Sequence, residues 1–204
     1  MPRMKKKTRP KKKTKMSAPV SAVGEQRKVI AGLGISLDGY IARLDGSVDF
    51  LFMPRDYSMG PFLKTVDTLV LGRKTYEDGL KMGGSFDKST TNYVFSKTQP
   101  PGEHNNVIFT NDSPSAVIAE IRKKPGKNIW LMGGGVLLRD FLKEDLVDEL
   151  YLGVVPTLIG EGIPLFPRGY PQREFDLVEN KTYSQGMIAY RYARARKKKS
   201  RGKQ

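Results

Sequence analysis

Short apolar segments, each ending at a glycine, a proline or a polar turn, constrain this chain more than any other sequence feature. Six of them occur, at residues 29–35, 68–71, 92–95, 107–110, 128–132 and 149–155. Their length and apolar content are typical of buried strands. Strands alternate with helical patterns at first and then follow one another towards the end of the chain. This order predicts an α/β fold with a mostly parallel central sheet and antiparallel C-terminal strands.

Helical patterns lie between several of these strands. The clearest begins at Ser113–Pro114, where a capping residue precedes a proline at the first helical position, and its apolar stripe runs to Ile121. A weak helical pattern covers residues 54–66, and a further helix is predicted at 136–142. Residues 187–193 predict an edge or hairpin strand.

Positive charge is concentrated at the two ends of the chain. Residues 1–28 hold eleven Lys and Arg against one acid, and residues 194–204 hold seven against none. The whole chain carries +15, so residues 29–193 carry only −2. The composition predicts two basic disordered tails around one domain at 29–193. The tails favour non-specific contact with nucleic acid, with a localisation signal or a merely solvated tail as alternatives.

Several classes of function are excluded by composition. The chain has no Cys and a single His, His104, which lies in a turn-like stretch. Thiolate nucleophiles, Cys-based zinc sites and multi-His metal sites are therefore impossible, and we expect no metal. No apolar run approaches the roughly 20 residues of a membrane span, and no hydrophobic stretch follows the N-terminal charges. We expect a cytoplasmic protein without a membrane partner, and a homodimer stays open.

Three junctions between a strand and the following turn carry the chemistry. They lie at Gly72–Thr75, Ser96–Lys97 and Gly133–Gly135. In open α/β sheets ligands bind beyond the carboxyl ends of strands, and glycine there lets backbone approach a phosphate at a helix start. These junctions predict a dinucleotide site with a glycine-lined seat for the pyrophosphate. The cationic cluster of Arg73, Lys74 and Lys97 favours NADPH over NADH, because it can bind the additional 2′-phosphate of NADPH.

Five motifs resemble one known family. They are Ser36–Ala42, Asp67–Glu77, Ile129–Gly135, Leu146–Leu150 and Pro156–Phe166, in the family's order. The family is the dihydrofolate-reductase-like one, which includes the reductase domain of the riboflavin-pathway deaminase–reductase. The resemblance covers about residues 28–193. A zinc-dependent deaminase half is not expected, because the chain lacks the His and Cys ligands for it.

The resemblance implies a three-layer fold, NADPH bound across the sheet, and hydride transfer to a carbonyl or imine carbon of a small-molecule substrate. Reduction of 5-amino-6-(5-phosphoribosylamino)uracil is the favoured activity. Dihydrofolate reduction is one alternative, and a non-catalytic protein bound to RNA or the ribosome through its tails is another. The expected cofactor-binding residues are Gly72, Arg73, Lys74 and Thr75 in a first phosphate loop, Ser96 and Lys97 beside the adenosine, Gly133, Gly134 and Gly135 at the pyrophosphate, and Leu33, Gly34 and Ile41 at the nicotinamide.

Two carboxylates are candidate catalytic groups. Asp56 lies sixteen residues before Gly72, roughly where the classical reductases place a pterin-binding acid on a helix. Such a group could orient substrate or relay a proton. Asp38 lies in a turn, with a substrate contact as the second interpretation.

Overall fold

The structure, a computed structural model, describes residues 26–86 and 88–195. The strands are β1 (Val29–Ile35), β2 (Tyr40–Ala42), β3 (Val66–Gly72), β4 (Thr91–Phe95), β5 (Gly102–His104), β6 (Val107–Thr110), β7 (Asn128–Gly133), β8 (Glu149–Val154), β9 (Ile163–Pro164), β10 (Phe175–Thr182) and β11 (Ile188–Arg194). The α-helices are α1 (Gly60–Leu63), α2 (Arg73–Lys81), α3 (Pro114–Arg122) and α4 (Gly135–Lys143), and a 3₁₀ turn covers Ser184–Gly186.

In the described part of the chain, nine of the strands form one sheet in the order β10-β11-β8-β1-β7-β3-β4-β6-β5. The six central strands, from β8 to β6, run parallel. β11, β10 and β5 are antiparallel to their neighbours. The α/β class, the mostly parallel sheet and the antiparallel C-terminal strands are confirmed.

Helices cover both faces of this sheet. On one face α3 and α4 bury apolar side chains, among them Ile118, Leu138 and Phe141, against β1, β7 and β8. On the other face Tyr76 of α2 joins Leu69, Leu71, Val94 and Val107 in a second core cluster. Ser113 caps α3 by accepting a hydrogen bond from the Ala116 amide, as its sequence pattern predicts. The sheet therefore lies between two helical layers, and the carboxyl ends of its central strands open at one edge.

The sequence missed several elements that lack a local apolar pattern. Only Gly60–Leu63 of the weak helical pattern at 54–66 is helical. His104 ends the short strand β5 instead of lying in a turn. β10 went unpredicted because seven of its eight residues are exposed and its apolar residues, Phe175, Leu177 and Val178, do not alternate regularly with polar ones. β11 lies between β10 and β8, so it is the hairpin strand of the two forms expected.

Three basic residues assigned to the tails lie in the fold. The Arg27 guanidinium is buried and donates to the carboxylate of Asp67, to the Thr68 hydroxyl at 2.6 Å and to the Lys127 carbonyl at 2.7 Å. Lys28 lies 3.3 Å from Glu149, and Arg194 ends β11. The folded part thus begins before residue 29 and continues through Arg194. The remaining tail residues, 1–25 and 196–204, fall outside the described residues. No described helix is long and apolar enough to cross a membrane.

Candidate active-site cleft

A cleft of about 830 Å³ lies at the carboxyl ends of the parallel strands. Because β1, β3, β4, β6 and β7 run in the same direction, the residues that follow them meet at this edge. All three predicted junctions line the cleft. The predicted cofactor-binding residues that line it are Leu33, Gly34, Ile41, Gly72, Lys74, Thr75, Ser96, Lys97, Gly133, Gly134 and Gly135.

Two helices begin at the cleft. α2 starts at Arg73 directly after Gly72, and α4 starts at Gly135 directly after Gly134. Neither helix has a side chain that caps its first amides. Uncapped N–H groups and the positive end of the helix dipole favour an anion. The cleft therefore has two anion-attracting helix starts, as the sequence predicts for a dinucleotide's phosphates.

The glycines at these two helix starts form one continuous floor. A Cβ atom at Gly72 would lie 4.0 Å from both the Gly133 carbonyl oxygen and the Gly134 nitrogen. A Cβ at Gly133, whose φ is +120°, would approach Leu33 Cδ2 to 2.8 Å. A Cβ at Gly134 would lie 3.4 Å from the Thr75 hydroxyl. Backbone without side chains thus lines the cleft at the place where two helix N-termini converge, which suits close approach of a pyrophosphate.

The junction at the end of β4 presents a different surface. Ser96 is buried, and its hydroxyl accepts hydrogen bonds from the amides of Thr98 at 3.2 Å and Gln99 at 2.9 Å. Its oxygen therefore orders the turn, and Lys97 supplies the exposed cation. Thr110 and Asn111, at the end of the neighbouring β6, complete this side of the cleft.

Arg73 departs from its predicted position. Its guanidinium does not line the cleft, and Nη1 lies 2.6 Å from Glu77 Oε1 one helical turn later. The expected cluster of three cations is therefore reduced to Lys74 and Lys97 at the cleft. The Arg73–Glu77 spacing of four residues was the available sequence signal for this ion pair.

Three carboxylates that the sequence reasoning missed also line the cleft. Asp78 comes from α2, Asp112 from the loop before α3, and Asp140 from α4. They are brought together by tertiary packing, and no local motif marks them. Two of them are paired with other cations, because Asp78 lies 3.4 Å from Lys81 and Asp140 lies 3.0 Å from Arg139.

The end of the cleft assigned to the nicotinamide is apolar. Leu33, Gly34 and Ile41 lie there as predicted, together with Leu51 and Trp130. The Trp130 indole donates a hydrogen bond to the Gly32 carbonyl at 2.9 Å, which fixes the ring over β1. Segments 32–34, 41–51 and 130–132 bring no carboxylate to the cleft lining.

The two predicted catalytic carboxylates do not line this cleft. Asp38 accepts hydrogen bonds from the Ser36 hydroxyl at 2.6 Å and the Gly160 amide at 2.8 Å, and the Ser36 hydrogen bond lowers its pKa. Asp56 lies in a turn before α1 and not on a helix. It accepts from the hydroxyl of Ser184 at 2.6 Å and from its amide, which lowers the pKa of Asp56. Both carboxylates thus join loops that are distant in sequence.

The fold places the chain with the dihydrofolate-reductase-like proteins. Dihydrofolate reductase of Enterococcus faecalis, solved with NADP(H) and RAB-propyl, superposes with a TM-score of 0.59 at 22% identity, over 83% of this chain and 97% of that one. A Shewanella sp. PV-4 protein assigned provisionally to riboflavin biosynthesis superposes with a TM-score of 0.73 at 29% identity, over 83% of this chain and 99% of that one. The protein therefore has the dihydrofolate-reductase-like fold.

Within that fold class, one particular family matches the chain. The model of the RibD C-terminal domain matches residues 27–189, and the chain belongs to this family. The uncharacterised protein YwjB of Bacillus subtilis (strain 168) is 36% identical over 174 residues, which cover 83% of this chain and 99% of YwjB.

Proposed function

We propose that the protein is an NADPH-dependent reductase that transfers hydride to 5-amino-6-(5-phosphoribosylamino)uracil or a closely related ribosylamine. The observation that carries the proposal is the glycine floor of Gly72, Gly133 and Gly134 between the starts of α2 and α4. A side chain at Gly134 would narrow the floor beside Thr75, and one at Gly133 would collide with Leu33. The residues present therefore fit a dinucleotide.

Each part of the cleft has a task in this proposal. The uncapped amides of α2 and α4 bind the pyrophosphate, assisted by the Thr75 hydroxyl. Lys97 and Lys74 contact the 2′-phosphate, which Arg73 does not reach while it pairs with Glu77. Bound NADPH supplies a hydride.

The apolar end of the cleft orients the reacting groups and excludes water. Leu33, Ile41 and Leu51 surround the space for the nicotinamide ring, and Trp130 lies beside it. A hydride acceptor held there reacts in a surrounding of low polarity, where competing hydrolysis is suppressed. The proton that balances the hydride comes from solvent, from the substrate's own polar groups or from Asp78, whose Oδ2 would lie 3.7 Å from a Cβ at Gly46.

Family membership and the position of Asp56 support the choice of substrate. The RibD C-terminal family and the Shewanella protein both point towards riboflavin biosynthesis. The classical dihydrofolate reductases use a carboxylate to hold the pterin. The corresponding candidate here, Asp56, is hydrogen-bonded to Ser184 outside the cleft. This arrangement favours the ribosylamine over dihydrofolate.

The test is a turnover assay that compares the two substrates and the two cofactors. The protein is mixed with NADPH and either 5-amino-6-(5-phosphoribosylamino)uracil or dihydrofolate, and loss of NADPH absorbance is followed. We expect oxidation with the ribosylamine, a product that has gained two hydrogen atoms by mass spectrometry, and slower reaction with NADH. Faster turnover of dihydrofolate would overturn the substrate. Failure of NADPH to bind at all would overturn the cofactor and with it the whole proposal.

A further inference from the structure

Asp38 ties together the two loops that lead into β2 and β9. Residues 36–39 connect β1 to β2, and residues 155–162 connect β8 to β9. One oxygen of the Asp38 carboxylate accepts hydrogen bonds from the amides of Ile159 at 3.1 Å and Gly160 at 2.8 Å. The other oxygen accepts from the Ser36 hydroxyl at 2.6 Å. The carboxylate therefore joins the end of β1 to the segment that runs into β9.

The second of these loops has few buried side chains to hold it. No residue from 156 to 164 is buried, and Leu158 is 70% exposed. Hydrogen bonds to the first loop hold it instead, namely those of Asp38 and one from the Leu37 amide to the Thr157 carbonyl at 2.8 Å. The position of the loop thus depends on polar contacts, of which the carboxylate supplies two.

Ser36 fixes this carboxylate relative to the sheet. Its side chain is fully buried at the end of β1. Its hydroxyl donates to Asp38 and accepts from the Tyr40 amide at 2.9 Å, so its hydrogen-bonding capacity is used on both sides. Asp38 is exposed, but it is held from a buried and fully bonded group.

Strands β2 and β9 reach the cleft at two points. They pair with each other in a small antiparallel sheet. A Cβ at Gly134 would lie 3.9 Å from Ile41 Cδ1, and a Cβ at Gly135 would lie 2.5 Å from the Pro164 carbonyl oxygen. Ile41 and Ile163 also line the cleft. A displacement of this small sheet therefore changes the wall of the cleft beside the glycine floor and the start of α4.

We infer that Asp38 is a positioning residue, which sets the place of the nicotinamide ring through the small sheet of β2 and β9. This role rests on the proposed function, since it requires NADPH in the cleft. Asp38 does not line the cleft itself, so it acts on the ring through Ile41 and Ile163. Its task is geometric, and no proton passes through its carboxylate.

The adenosine end of the cleft lies beyond the reach of this small sheet. Lys97 and Asn111 follow β4 and β6, which stand three and four places from β1 in the sheet order. At about 4.8 Å between neighbouring strands, the separation is roughly 15–20 Å. Loss of the Asp38 carboxylate should therefore weaken the contacts of the nicotinamide and leave those of the adenosine unchanged.

The experiment measures two ligands by calorimetric titration on the unaltered protein and its variants. NADPH probes the whole cleft, and adenosine 2′,5′-bisphosphate probes the adenosine end alone. Asp38→Ala should bind NADPH roughly 5–20-fold more weakly and the bisphosphate within about twofold of the unaltered protein. At saturation, NADPH bound to Asp38→Ala should also fluoresce less, because its dihydronicotinamide ring is less shielded from water.

Two further variants separate positioning from other roles. Asp38→Asn keeps an oxygen for the two amides and an amino group that can donate to the Ser36 oxygen, so its NADPH affinity should stay within about threefold of the unaltered protein. Asp56→Ala is the matched control. Asp56 also joins two loops by accepting from a serine hydroxyl at 2.6 Å, but it lies outside the cleft. Its loss should leave the affinity for NADPH and the fluorescence of the bound cofactor unchanged.

Three results would overturn the positioning role. They are a loss of NADPH affinity in Asp38→Ala no larger than in Asp56→Ala, a parallel loss of affinity for the bisphosphate, and an equal loss in Asp38→Asn, which would assign the effect to charge. The proposed function fails separately. If the unaltered protein binds no NADPH, the cofactor is wrong, whereas NADPH binding that is insensitive to Asp38 removes the positioning role alone.

Discussion

The two ends of the central sheet are built in opposite ways. At the amino ends of the strands, arginines and carboxylates are satisfied by one another: Arg27 binds Asp67, and Arg122 binds Asp148 at 2.8 Å. At the carboxyl ends, helix amides are left uncapped and glycine exposes the backbone. Polar groups that are already paired stabilise a fold, whereas unpaired donors around a cleft are available to bind a ligand. Substitutions at the first end should therefore change stability, and those at the second should change ligand binding.

The largest effect is expected at the ion-paired end. Arg27→Met keeps the side-chain stem but removes the guanidinium that Asp67, Thr68 and two carbonyls share. We expect the free energy of unfolding to fall by about 2–4 kcal/mol, below the cost of breaking a fully buried pair because Asp67 remains 33% exposed. Urea denaturation measures the loss.

The control is Arg55→Met, at an exposed arginine, which should change stability by less than about 0.5 kcal/mol. Equal losses in the free energy of unfolding of the two variants would contradict a special role of the ion-paired end in stability. The affinity of Arg27→Met for NADPH should match that of the unaltered protein.

The next effect is expected on the glycine floor. Gly134 has a φ of −85°, which alanine can adopt, but a Cβ there would occupy the floor beside Thr75. Gly134→Ala should weaken NADPH binding by about 10–100-fold, as loss of a charge-assisted hydrogen bond or two would, with little change in stability. Calorimetric titration measures the affinity.

Gly60→Ala is the matched control, because its Cβ would meet only the Ser58 side chain, away from the cleft. Full NADPH affinity in Gly134→Ala would show that no pyrophosphate approaches the floor.

A smaller effect on NADPH affinity is expected in the predicted cation cluster, where Lys97 and Arg73 should differ. Lys97→Gln should reduce NADPH affinity by about tenfold and leave NADH affinity unchanged, because only NADPH carries the 2′-phosphate. Arg73→Gln should change NADPH affinity by less than about threefold, because its partner is Glu77. The exposed Lys124→Gln serves as the control. A larger loss of NADPH affinity in Arg73→Gln than in Lys97→Gln would instead support the cluster of Arg73, Lys74 and Lys97 that the sequence predicts.

The smallest effect concerns pH. Hydrogen bonds from Ser184 lower the pKa of Asp56, so its contribution to stability is present above the ordinary carboxyl pKa of 3.8 and is lost as the pH falls through the lowered value. Melting temperatures at pH 7 and pH 3 should differ slightly more for the unaltered protein than for Asp56→Asn. At pH 7 the variant should retain turnover, because Asp56 lies outside the cleft. A large loss of turnover would return Asp56 to the catalytic site.

The sequence predicted the part of the molecule whose signals are local. Apolar runs marked the central strands, and the Gly133–Gly135 turn marked the start of α4, because turn chemistry and burial depend on adjacent residues. The strand β10 was not predicted because an exposed strand carries no apolar alternation. Composition assigned Arg27 to a tail because its partners lie 40 or more residues away, where no local pattern indicates them. Asp112 and Asp140 reach the cleft only through tertiary packing, which no single segment encodes.

The most direct test of the central claim is calorimetric titration of the unaltered protein with NADPH and then with NADH. The claim is that the cleft at the carboxyl ends binds a phosphorylated dinucleotide. We predict one NADPH per chain, bound about tenfold or more tightly than NADH because of Lys74 and Lys97. Equal affinities would contradict the role of the two lysines, and absence of binding by both cofactors would contradict the claim itself.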